Sequence, residues 1–131
     1  RQHYTLHPVG GRKTTYYSFT ARVDHIIDGD TIWLDIDCGF DVWSRQKLRL
    51  RGIDTPELNT DEGKLARRFV QDHLQNLPFV TVTTTKPDKF DRYLADVFYS
   101  PDPPDPHAVL RDGHFLNRDL VKAGLAERFK E

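Results

Sequence analysis

Methionine is absent from the 131 residues, and cysteine occurs once, at Cys38. A lone cysteine cannot close an intrachain disulfide, which excludes a small disulfide-stapled scaffold. The missing methionine makes the chain read as an excised domain or a processed product. No apolar run approaches the roughly 20 residues that a membrane helix needs, so no membrane partner is expected. Excess charge is missing too: the net charge of -1 argues against gripping a nucleic-acid duplex by bulk cationic charge. No internal repeat is visible, and the six histidines show no pairwise spacing typical of a zinc site. What is present suffices for one folded domain. Hydrophobic residues make up 37% and aromatics 11%, which excludes disorder of the chain as a whole.

The distribution of charge says more than its sum. From Ala21 to Asp41 one cation, Arg22, stands against six aspartates, whereas Val42 to Gly52 carries Arg45, Lys47, Arg49 and Arg51 and no acid. Residues 1–15 lack periodicity and read as a flexible lead-in, with residues 16–131 as the folded domain. Tyr17 to Ile27 alternates and is rich in aromatic and β-branched residues, the pattern of a strand. Asp28-Gly29-Asp30 is a turn signal. Thr31 to Asp37 alternates again, with Ile32, Leu34 and Ile36 on one face. Lys47 to Ile53 predicts a third strand, with Leu48 and Leu50 inward and Lys47, Arg49 and Arg51 on the polar face.

Asp61 to Leu77 predicts a helix. Its apolar positions, Leu65, Ala66, Phe69, Val70, His73, Leu74 and Leu77, recur at three and four. Thr60 or Asp61 can cap it, and Pro78 follows its end. Phe79–Thr85 and Tyr93–Tyr99 read as the fourth and fifth strands. The segment SPDPPDP should form an exposed, stiff hairpin tip. Phe115 to Ala123 reads as a short C-terminal helix, with Gly124 at its C′ position. Five short strands with a helix between the third and fourth make an α+β, mainly β, pattern that suits a small closed barrel.

Three clusters carry candidate chemistry. Each has a plain structural reading when taken alone. Asp28-Gly29-Asp30-Thr31 is an ordinary Asp-Gly turn, or it presents a carboxylate at a barrel mouth. Arg49-Leu50-Arg51-Gly52-Ile53-Asp54-Thr55-Pro56-Glu57 is an amphipathic strand and turn, or a guanidinium followed by two carboxylates at a spacing fixed by Pro56. Such a set suits a divalent cation beside a phosphate. Lys86 to Tyr93 is a charged hairpin turn, or it brings Lys89 and the fork of Arg92 to phosphate oxygens.

Taken in order, D-G-D-T, then R-x-R-x-x-D-T-P-E, then K-x-D-R-Y-L-A, and the late stretch from Asn117 to Ala126 resemble the staphylococcal nuclease (thermonuclease) family over about Val23 to Ala126. The resemblance implies a five-stranded OB-type barrel and a calcium-dependent phosphodiesterase acting on DNA and RNA, with calcium ahead of magnesium. It implies Asp30 and Asp54 as cation carboxylates and Thr55 as a backbone-carbonyl ligand. It implies Arg49 and Arg92 as phosphate-binding arginines, Glu57 as the catalytic carboxylate and Lys89 as a contact to a terminal phosphate. A monomer is expected, as one unit of a longer chain or alone. Two positions depart from the pattern: Phe90 stands where the family has a tyrosine, and the late aromatic of the nucleotide site falls at Lys130, beside Phe129. The competing reading is a catalytically silent OB-fold module for single strands or a protein partner. Trp33, Trp43, Phe90 and Tyr93 are its candidate stacking faces, although core or barrel rim is the favoured place for each Trp.

The chemistry stands without the family. A phosphodiester is anionic and repels hydroxide, so an enzyme must neutralise it, supply a nucleophile and stabilise charge on the equatorial oxygens. Oxygen-only ligands select a hard cation over zinc. Such a cation lowers the pKa of water beside the phosphate, so hydrolysis through a metal-activated water is the expected route. A glutamate in water, with a pKa of about 4.3, is a weak base at pH 7, so alignment must contribute more than basicity.

Overall fold

The computed structural model describes residues 17–87, 93–102 and 105–129. Its first strand, β1 (Tyr17–Asp28), serves two neighbours. Tyr17–Ala21 pairs antiparallel with β5 (Val80–Pro87), and Ala21–Asp28 pairs with β2 (Thr31–Asp37). Register shifts between Val23 and His25 and between Ile26 and Asp28 break the ladder to β2, and such irregularities increase local twist and bend a strand. β2 pairs with β3 (Trp43–Leu50), and β5 pairs with β6 (Tyr93–Tyr99). β6 then runs parallel to the end of β3, Arg49 opposite Leu94, which closes the five-stranded OB-type barrel.

The pleat decides which side chains fill it. Ile32, Leu34 and Ile36 of β2 and Leu48 and Leu50 of β3 point inward at 5% exposure or less. Val80, Val82 and Val97 meet them from the opposite wall. The α+β reading and the barrel are therefore as expected. The third strand is displaced: it begins at Trp43, and it ends at Leu50 because Gly52 turns the chain at φ 77°. Ile53–Asp54 is a separate short strand, β4, paired with β8 (Glu127–Arg128).

Helix α1 (Asp61–Leu74) starts where the Thr60 hydroxyl accepts from the Gly63 N–H at 3.0 Å. It ends three residues before the expected Leu77, with Gln75 as its C-cap. Ala66, Val70 and Leu74 are buried, while Leu65, counted on the apolar stripe, is 58% exposed at its edge.

The proline-rich segment corrects an expectation. It leads into a helix, α2 (Pro106–Asp112), which no hairpin tip allows for. Asp105 accepts from Ala108 N at 2.8 Å as N-cap, and Pro106 occupies the first turn, where its missing N–H costs nothing. A two-residue strand, β7 (His114–Phe115), precedes α3 (Leu116–Lys122), and Gly124 follows at φ 75° as its sequence position requires. Asn117 fixes α3 to the barrel. Its amide oxygen accepts from Val97 N, and its amide nitrogen donates to the carbonyls of Arg51 and Ala95 at 2.9 and 3.0 Å.

Candidate active site

Asp30 leaves the β1–β2 turn with its carboxylate turned inward, and it is 6% exposed. Such burial of an acid demands partners. Thr31 Oγ1 donates to Oδ1 at 3.1 Å, and the Thr55 backbone N–H donates to Oδ2 at 3.1 Å. Arg49 Nη1 lies 2.7 Å from the same Oδ2. The Asp30 N–H donates in turn to Asp28 Oδ1 at 3.1 Å. Burial pushes the Asp30 carboxyl up, but the hydrogen bond with Asp28 and the Arg49 guanidinium outweigh it and hold it below the ordinary carboxylate range. Asp28 responds in the opposite direction. Burial, then the bond to Asp30 and its charge, push the Asp28 carboxyl up to about 6.

Arg49 ties the turn to the segment after β3. Its Nη2 donates to the Ile53 carbonyl at 3.0 Å and reaches Asp54 Oδ1 at 3.5 Å. The side chain is only 11% exposed, against 59% for Asp54, so Arg49 is enclosed in the mouth although its strand position is outward. The Phe129 ring stands 5.9 Å from the guanidinium. Phe129 N–H donates to the Gly52 carbonyl at 2.8 Å, so the pairing of β8 with β4 delivers that ring.

Two glycines let these pieces meet. A Cβ on Gly29 would stand 2.7 Å from Ala66 Cβ and 2.8 Å from Thr55 Cγ2, so the turn is wedged between α1 and the Thr55 segment. A Cβ on Gly63 would run into the Glu57 carbonyl and stand 2.9 Å from the Pro56 oxygen. Glu57 itself is exposed. Its carbonyl accepts from Thr60 N at 3.0 Å and Thr60 Oγ1 at 2.6 Å, so one threonine caps the helix and holds the loop.

The structure therefore brings Asp30, Arg49, Asp54 and Thr55 together and sets Glu57 on a loop braced by α1. Lys89, Phe90, Arg92 and Lys130 lie outside the described residues, as does the lead-in at 1–15. β6 begins at Tyr93 opposite Leu48, beside the strand that carries Arg49. Sequence reasoning passed over Asp28, whose signal was a second acid in the same turn. Phe129, the neighbour of the expected aromatic position, has its ring beside the Arg49 guanidinium.

The profile of the family described as Staphylococcal nuclease homologue matches residues 47–131. The chain belongs to that family. It is 36% identical over 113 residues to a Thermonuclease of Staphylococcus hyicus, covering 82% of this chain and 57% of the relative. Against a Thermonuclease of Staphylococcus intermedius it is 39% identical over 111 residues, 79% of this chain and 56% of that one. Against the Uncharacterized protein MJ1439 of Methanocaldococcus jannaschii it is 28% identical over 109 residues, 64% of this chain and 50% of that protein. This nuclease homologue thus spans about half the length of the curated relatives it matches. Among its described residues no helix is long and apolar enough to cross a membrane.

The donor chemistry fits a hard cation. Asp30 and Asp54 flank one guanidinium, two carboxylates against one cation, and the Thr55 backbone lies beside Asp30, so oxygen donors of the kind that suit a hard cation are at hand. Among the described residues no three His, Cys, Asp or Glu side chains converge.

Proposed function

We propose that this chain is a calcium-dependent phosphodiesterase that hydrolyses DNA, RNA or both. The observation that supports it most is the convergence of Asp30 with Arg49, Asp54 and Thr55, the last three within the segment that matches the nuclease family. Asp30, Asp54 and the Thr55 carbonyl would hold calcium, which when bound supplies charge neutralisation and Lewis acidity at the phosphate. Arg49 offers five N–H donors in a fixed fork. They serve the carboxylates here, and the same fork suits two phosphate oxygens. Arg92 is the second clamp, and Lys89 binds a terminal phosphate.

Glu57 orients the attacking water and takes its proton. The water oxygen adds to phosphorus, one P–O ester bond breaks, and the leaving oxygen departs with a proton from solvent. An exposed glutamate on a braced loop can reach substrate without repaying burial, and its contribution is alignment before basicity.

The test is incubation with single-stranded DNA, duplex DNA and RNA, each with calcium, with magnesium and with chelator. Calcium-dependent release of nucleotides is expected. No cleavage with either metal would replace this reading with that of a silent binding module.

A further inference from the structure

The outward row of β3 continues past the mouth. Trp43, Arg45, Lys47 and Arg49 alternate with the inward Leu48 and Leu50 and the residues in register with them. Neither tryptophan lies in the core: Trp43 is 42% exposed, and Trp33 stands half-buried on the outward face of β2. Trp33 pairs with Lys47 on one side and His25 on the other. The His25 and Trp33 rings stack with centroids 6.1 Å apart and planes 24° apart, and the Lys47 ammonium is 5.9 Å from the indole centre. His25 Nδ1 and Asp24 Oδ2 are 2.7 Å apart, which fixes the imidazole plane. One rung nearer the mouth, Thr31 pairs with Arg49. The two rungs are separated by about 7 Å along the strand. One rung farther, Arg45 meets Asp35 at 3.0 Å and Asp24 at 3.4 Å, so cationic charge is balanced there.

We infer that His25, Trp33 and Lys47 form a subsite for the nucleotide next to the one whose phosphate rests on Arg49. The inference rests on the nuclease reading and adds a substrate class to it. The base packs against the Trp33–His25 pair, and its phosphate meets Lys47. Stacking of a base on an aromatic side chain requires an unstacked strand, so the subsite selects single-stranded over duplex nucleic acid. The balanced Arg45 cluster limits it to about one nucleotide. Near-neutral net charge is consistent with this, because a single strand held by stacking needs fewer phosphate contacts than a duplex gripped by charge.

The experiment measures binding of fluorescein-labelled octathymidylate in chelator, by anisotropy, for wild type, Trp33→Leu and Lys47→Ala. Circular dichroism checks that each variant folds. Trp33→Leu should weaken octathymidylate binding about tenfold and a duplex of equal length less than twofold. Lys47→Ala should flatten the slope of log K against log salt by about 0.7. A Trp43→Phe protein keeps Trp33 as its one indole, and its fluorescence should be quenched by the oligomer. Equal octathymidylate affinity in wild type and Trp33→Leu, or equal losses on single strand and duplex, overturns the subsite. Cleavage with calcium is assayed separately. Cleavage with no Trp33 dependence sinks the subsite alone, whereas Trp33-dependent binding without cleavage upholds the subsite and sinks the nuclease reading.

Discussion

Replacing Gly63 by alanine sets two effects of opposite sign against each other. On propensity alone the change stabilises, because glycine inside a helix costs roughly 0.5–1 kcal/mol relative to alanine. The neighbours decide otherwise. The added Cβ would collide with the Glu57 carbonyl oxygen and stand 2.5 Å from its carbon and 2.9 Å from the Pro56 oxygen. All three are backbone atoms, and the Glu57 carbonyl is held by two donors from Thr60, so no flexible side chain can yield. Relief to ordinary van der Waals contact requires the loop to move by about 1.5 Å. Overpacking of this kind costs about 1–3 kcal/mol, which outweighs the propensity gain and leaves the variant less stable. The displaced residue is the proposed catalytic carboxylate, and a misplacement of about 1 Å can cost on the order of 10²-fold in rate.

Two measurements separate these contributions: urea unfolding, and calcium-dependent release of nucleotides from single-stranded DNA under saturating substrate. Gly63→Ala should unfold at lower urea and turn over about a hundredfold more slowly. A variant that is more stable than wild type and turns over normally would show that the Pro56–Glu57 loop does not press on α1, and the bracing argument would fail.

Other perturbations test the remaining roles. Glu57→Gln should keep calcium binding by titration calorimetry and lose roughly 10²–10⁴-fold in turnover; near wild-type turnover removes Glu57 from the chemistry. Arg49→Lys should lose orders of magnitude in turnover for want of the guanidinium fork, while Arg49→Ala should in addition cost about 3–5 kcal/mol in urea unfolding, because it leaves the nearly buried Asp30 carboxylate without its cation. Asp28→Asn tests the raised carboxyl through its pH dependence. A group raised from about 3.9 to about 6 on folding stabilises fully below pH 4, and that stability is lost as pH rises through 6. In chelator, the melting temperature of Asp28→Asn relative to wild type should therefore climb between pH 4.5 and 7.5, by about 4 °C for roughly 1 kcal/mol after discounting for partial exposure. The depressed carboxyl of Asp30 has the opposite sign, but its window lies below about pH 4, outside the scan. A constant difference across the scan would mean that Asp28 is not perturbed.

The faces of the long strands were legible because alternation is a local property: Ile32, Leu34 and Ile36 announce theirs within five residues, whereas the start of β3 at Trp43 and the two-residue strands β4, β7 and β8 carry too little alternation to read. Helix α2 was not, because seven residues with one buried side chain, Val109, make no stripe, and the prolines before it signal interruption more loudly than the Asp105 cap signals a start. The enclosure of Arg49 was also hidden. Alternation puts it outward, and only the return of the chain from Ile53 to Thr55, and of Phe129 beyond it, closes over the guanidinium.

The same distinction runs through the candidate site. Its reactive groups sit in short contiguous motifs, Asp28 to Thr31 and Arg49 to Glu57, so one reading of the chain finds them. Their placement depends on close approaches between segments far apart in sequence, Gly29 against Ala66 and Thr55, and Gly63 against Glu57. Neither glycine carries a functional group and neither lies at positive φ, so the Asp-Gly turn signal at Gly29 does not show the need for a missing side chain, and nothing local marks Gly63. Each is required because another backbone or a β-carbon occupies the space that its own side chain would fill. A homologue can therefore keep every acid and arginine of the motifs and still lose geometry through one added methyl group at position 29 or 63. Judging whether a member of this family retains the site accordingly requires these two small residues as well as the charged ones.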